Sequence, residues 1–109
     1  MRVAFYAPMK PPDHPVPSGD RHLARLLMTA LRHSGHTPEL ISRFVSRDGA
    51  GDPDRQTRLQ GLGDKLVDRL TRQLAARPLE QRPKAWLTYH LYHKAPDWLG
   101  PRIADAFHI

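Results

Sequence analysis

Five consecutive apolar residues, Val3 to Ala7, stand almost at the start of the chain and are stopped by Pro8. A run of that kind, rich in β-formers, suits a strand covered on both faces, as in a parallel sheet, although so short a run is ambiguous by pattern alone. A Pro-rich loop then leads to Ser18-Gly-Asp20. Beyond it Leu23, Leu26, Leu27, Ala30 and Leu31 recur three and four apart, the spacing of one helix face. Asp20 is a plausible N-cap, with Ser18 its competitor, and Gly35 is the stop. A strand passed to a helix through a Gly-containing loop begins an open α/β sheet, whose ligands bind at the carboxyl ends of the strands.

The rest of the chain repeats this alternation. Thr37 to Ser42 reads as a second strand, with Pro38 suited to its start or to an edge. Arg47 to Gln56 is a loop. A second helix is expected from about Asp54 to Ala76, on the spacing of Leu59, Leu62, Leu66, Leu70 and Leu74 with Val67 beside them. Gly61 and Gly63 each weaken it by roughly 1 kcal/mol against Ala, which moves its expected start towards Gly63. Ala85 to Leu91 reads as a third strand buried in the sheet. Tyr92 to Pro101 is a loop turning into a third helix, with Leu99, Ile103, Ala106 and Phe107 inward. The order β-α-β-α-β-α implies an α/β fold: an open parallel sheet of about three strands, with right-handed crossovers and helices on both faces.

At 109 residues the chain is one domain with one core. Its eleven prolines fall between the periodic segments, as punctuation. There is no cysteine, hence no disulfide, thiolate ligand or thiol nucleophile. The apolar run after Met1 is too short for a signal peptide, and no stretch approaches the roughly 20 apolar residues of a membrane span; a cytoplasmic location is expected. A net charge of +6 permits binding to phosphate groups, nucleic acid or an anionic membrane surface. The basic residues are scattered, with no basic run interleaved with aromatics, so no specific nucleic-acid partner is expected.

The strand Met1 to Pro8, the loop ending in Ser18-Gly19-Asp20 and the helix after it resemble the start of retaining glycosyltransferases of the GT-B fold, the glycosyl transferases group 1 class. Leu31-Arg-His-Ser-Gly-His36 is similar to that class's L-x-x-x-G-H passage into the second strand. Trp86-Leu-Thr-Tyr-His-Leu-Tyr-His-Lys-Ala-Pro-Asp97 is similar in position to its D-V-V-H-x-H segment, without the acidic residue and with a different His spacing. The resemblance covers essentially the whole chain. It implies an incomplete N-terminal, acceptor-side Rossmann-like domain. A nucleotide-sugar donor would be the substrate, held mainly by a second, C-terminal domain beyond Ile109. The class's catalytic-loop His and donor-phosphate residues would also lie there, so the chain alone is expected to be inactive and to need no cofactor. Its partners would be a sugar or sugar acceptor, the missing domain and, peripherally, an anionic membrane.

The candidate substrate-binding residues are Gly19, Asp20, His90, His93, Lys94 and Asp97. Gly19 lets a ligand approach backbone N–H groups at a helix N-terminus, though an ordinary loop glycine is the plain alternative. Asp20 is either a cap or a ligand contact. His90 and His93 can exchange protons or hydrogen bonds with sugar hydroxyls. Three apart in an extended segment, they point to opposite sides, so at most one faces a cleft. A zinc site lacks further ligands, and no metal is expected. Lys94 suits a phosphate or acidic acceptor and Asp97 sugar hydroxyls; both are otherwise surface charges. The alternative function is a stand-alone α/β module for a nucleotide or phosphorylated ligand. It would lack both the Gly-x-Gly-x-x-Gly dinucleotide loop and a P-loop.

Overall fold

The computed structural model describes residues 1–90 and 94–109. Strand β1 (Arg2–Tyr6) is followed by helix α1 (Gly19–His33), strand β2 (Thr37–Ser42), helix α2 (Pro53–Ala75), a short 3-10 turn (Leu79–Gln81), strand β3 (Ala85–Thr88) and helix α3 (Gly100–Phe107). The three strands form one sheet in the order β2-β1-β3, parallel throughout. This is the expected open α/β arrangement. Among the described residues, no helix is long and apolar enough to cross a membrane.

The first strand is central because it alone is apolar at every position from Val3 to Tyr6; Ala4, Phe5 and Tyr6 have no exposed surface. Its alternation divides the core. Phe5 and Ala7 meet Ala24 and Met28 of α1 on one face, with Leu31, Leu40, Leu87 and Tyr89 around them. Tyr6 meets Val67, Leu70 and Leu74 of α2 and Leu99 and Ile103 on the other. Helices therefore cover both faces. Phe5 pairs with Leu40 but Tyr6 with Ser42, so the register slips by one at Ile41. Ile41 follows the strand's alternation to the α2 side, where it and Phe44 pack against the buried cluster.

Several expectations are corrected. Strand β3 is an edge strand, half-buried along its whole length, rather than a buried one. On α1 the core face is Ala24, Met28 and half-buried Leu31. Leu23 and Leu26 are 51% and 50% exposed, and Leu27 and Ala30 also face solvent. A single helix on that side of a narrow sheet touches it along one line of side chains, so a broad apolar stripe is only partly used. Helix α2 starts at Pro53, capped by Asp52, whose side chain accepts from the Asp54 N–H. Its glycines did not delay it, because proline at the first position and the acidic cap set the start. Leu62 lies on its solvent face, 51% exposed, and Ala106 on that of α3. Beyond the core, Arg77 clamps Glu39 of β2 through two bonds of 2.8 and 2.6 Å. The guanidinium holds the Glu39 carboxyl below the usual carboxylate range, with burial opposing and Arg2 assisting.

Candidate functional site

The chain leaves β1 towards β2 over one face and returns to β3 over the other. The crevice between the carboxyl ends of β1 and β3 is therefore the topological switch point, the general ligand position in such sheets. The Pro-rich loop reaches it as a packed segment: Pro11 and Pro12 are buried, and Arg25 donates to the Pro12 carbonyl at 2.7 Å. Ser18, extended at φ −162°, caps α1 by accepting from the Arg21 N–H at 3.2 Å. The cap is Ser18 rather than Asp20. Asp20 sits one residue further, in the first turn, where the helix dipole favours a carboxylate. Gly19 opens the helix, and nothing lies within 4 Å of where its Cβ would be.

Across the crevice the chain turns sharply after β3. Tyr89 donates its N–H to the Tyr6 carbonyl at 2.8 Å and stacks on Phe5. His90 then adopts a left-handed conformation, φ 63°. That turn places its Nδ1 2.8 Å from Asp20 Oδ1, with the Tyr89 ring tilted against the imidazole. Gly19, Asp20 and His90, drawn from two ends of the sequence, thus share one rim. The Tyr89 hydroxyl is pushed above its ordinary range, by burial first and by the Asp20 charge second. Asp20 also lines a cavity of about 490 Å³ with Ser18, Lys10, His14 and Arg47, between the Pro-rich loop, the start of α1 and the loop after β2. Two cations and a helix N-terminus there favour an anionic group.

Of the other candidates, His93 falls outside the described residues, and Asp97 and Lys94 have other partners. Asp97 is engaged in starting α3: one oxygen accepts from the Leu99 and Gly100 N–H groups at 3.0 and 2.7 Å, the other from the Thr88 hydroxyl. Thr88 in turn accepts from Trp86 Nε1 at 2.8 Å. Lys94 lines a different cavity, of about 370 Å³, between the loops after β2 and β3 and the first turns of α2. Its carbonyl accepts from the Asp48 N–H at 2.7 Å.

Two residues of that region escaped sequence reasoning. Ser46 and Asp48 are each 2% exposed, although Asp48 lies in the Arg47–Gln56 stretch, whose glycines and acidic residues read as open loop. Ser46 donates its hydroxyl to the Pro96 carbonyl at 2.6 Å and its N–H to the Pro8 carbonyl, tying together the loops after all three strands. No signal in the residue types marks them: apolar Val45 is exposed between half-buried Phe44 and buried Ser46. Among the described residues no group of three or more His, Asp or Glu could hold a metal ion. No family model, curated protein or solved structure matches the chain, so the functional reading rests on the geometry and the motif resemblance.

Proposed function

We propose that the chain is the acceptor-side domain of a nucleotide-sugar-dependent glycosyltransferase of the GT-B type, in which the donor is held mainly by a further domain. The observation that carries this is the Asp20–His90 pair at the switch-point crevice. A carboxylate accepts hydrogen bonds from sugar hydroxyls, and an imidazole oriented by it serves proton exchange at such a hydroxyl. In this reading the chain works in the cytoplasm, and its positive charge attracts an anionic membrane carrying the acceptor.

A second reading has one observation in its favour. Lys10 and Arg47 beside the start of α1 suit a stand-alone module for a phosphorylated ligand. Calorimetric titration of the chain with UDP, UDP-glucose and inorganic phosphate separates the two. The transferase reading expects none of them to bind tighter than the millimolar range. It also expects the same reading frame, expressed through whatever follows Ile109, to release nucleoside diphosphate from a nucleotide sugar. Asp20→Asn or His90→Ala in that protein would lower turnover at least about tenfold. Micromolar binding of phosphate or nucleotide by the chain alone would assign it to the stand-alone module.

A further inference from the structure

Helix α1 buries only part of its apolar surface. At about 3.6 residues per turn, Ala24, Met28 and Leu31 form the line that meets the sheet. Arg25, Thr29 and Arg32 form one flank and line a groove with Pro38 and Leu40 of β2. Gly19, Leu23, Leu26, Leu27, Ala30 and Ser34 form the other flank, and all six are exposed. This second flank looks towards β3, because Asp20 at its edge reaches His90 just beyond that strand. The half-buried Leu87 and Tyr89 continue the apolar surface onto the sheet.

Charge narrows what covers it. The exposed flank carries none, since Arg21, Arg25 and Arg32 all lie elsewhere on the helix. A chain of net charge +6 repels its own copies, and a face free of cations is where that repulsion is least. Helices that lie in a membrane surface instead set Lys and Arg beside the apolar face.

The order of the side chains matches itself. Two copies of α1 laid antiparallel about a two-fold axis between Leu26 and Leu27 oppose Leu26 to Leu27, Leu23 to Ala30 and Gly19 to Ser34. Each large side chain outside the central pair then meets a small one, and the helix ends can approach closely. A parallel pairing would oppose Leu23 to Leu23 and Ala30 to Ala30, a crowded contact beside a void. The antiparallel arrangement also brings the first turn, with Asp20, beside the other copy's last turn, with Arg32 and His33. The two helix dipoles then lie in opposition.

From this we infer that the chain forms a two-fold dimer, in which the Leu23–Ala30 flank of α1 packs on the same flank of a second copy. The contact is isologous. It is short, at the small end of specific interfaces, so a Kd of about 10–100 µM is expected. The dimer does not rest on the transferase reading.

Sedimentation velocity of the chain between about 5 and 500 µM tests it, with a passage from monomer to dimer expected across that range. Leu26→Glu should weaken association at least about tenfold, because it sets a carboxylate of each copy beside the axis. Thr29→Glu, on the opposite flank, should leave association unchanged. Both positions are exposed, so both variants are expected to fold. Cross-linking reads the orientation, and the chain has no cysteine of its own to interfere. Under mild oxidation Leu26→Cys alone should give a covalent dimer, as should Leu23→Cys mixed with Ala30→Cys. Leu23→Cys alone should not, because its two copies would lie about 10 Å apart along the helices, beyond disulfide reach. A monomer throughout the range overturns the dimer, as does a dimer that Leu26→Glu leaves equally tight. Covalent pairing of Leu23→Cys with itself would overturn the antiparallel contact. A monomer that floats with phosphatidylglycerol vesicles, and ceases to do so on Leu26→Glu, would overturn the dimer by assigning the flank to a membrane surface.

Discussion

His90 reaches Asp20 across the sheet's central crevice, Nδ1 to Oδ1 at 2.8 Å, and does so from a left-handed backbone. Two separable contributions follow. The side-chain contact is partly open to solvent and is worth about 0–1 kcal/mol. The backbone conformation tolerates Asn but not a β-branched residue, which there costs roughly 1–3 kcal/mol. Urea unfolding should therefore rank His90→Asn close to the parent and His90→Val well below it. Equal losses in the two would mean that the turn contributes nothing.

The two glycines of α2 should respond oppositely to alanine. Gly61 faces open space, so Gly61→Ala is expected to stabilise by about 1 kcal/mol. Gly63→Ala would force its new methyl against Trp98 and should destabilise by about 1–3 kcal/mol. Thermal melts of the two variants decide this, and a gain in both would show that Trp98 is not packed where described.

The core line of α1 is open to the same kind of comparison. Leu26→Ser, at a half-exposed position, should change stability by no more than about 0.5 kcal/mol. Met28→Ala, at 8% exposure, should cost about 2–3 kcal/mol. A reversed order in chemical denaturation would restore the broader leucine stripe as the buried face.

Glu39 sets an acid limit. Its carboxyl is held low by Arg77, so its contribution is present above its unfolded value of roughly 4.3 and is lost as pH falls through the lower folded value. Glu39→Gln should cost about 1 kcal/mol at neutral pH and nothing once the carboxyl is protonated in both states. Stability measured from pH 7 downward should show the parent and variant curves converging below the carboxylate range. Parallel curves would exclude the mechanism.

Asp97 should behave as a structural group. Asp97→Ala removes the acceptor for two N–H groups that begin α3 and is expected to cost about 2–3 kcal/mol in unfolding. A variant as stable as the parent would return this carboxylate to the ligand-binding candidates.

How much of this could be read in advance depended on range. The strands, the alternation and the crevice were legible, because apolar runs, proline punctuation and a Gly-Asp helix start are local signals. The cap was not: Ser18 and Asp20 are equally good by residue type, and only the folded backbone, extended at Ser18, selects the serine. The inward line of α1 depends on the width of the sheet beneath it, which no helical period encodes. Asp48 was invisible for a related reason. A polar residue in a Gly-rich loop becomes buried only when the loops after three separate strands close over it, and the sequence places those loops far apart.

The position of β1 between its two partners has a consequence for folding. The segment with the greatest aversion to water, Val3 to Ala7, lies in or beside a strand whose neighbours are Thr37–Ser42 and, far along the sequence, Ala85–Thr88. No hairpin can shelter it, since both pairings are parallel and need a full crossover. Its burial therefore waits on long-range closure, which slows collapse and leaves an apolar strand open to misassociation in the interval.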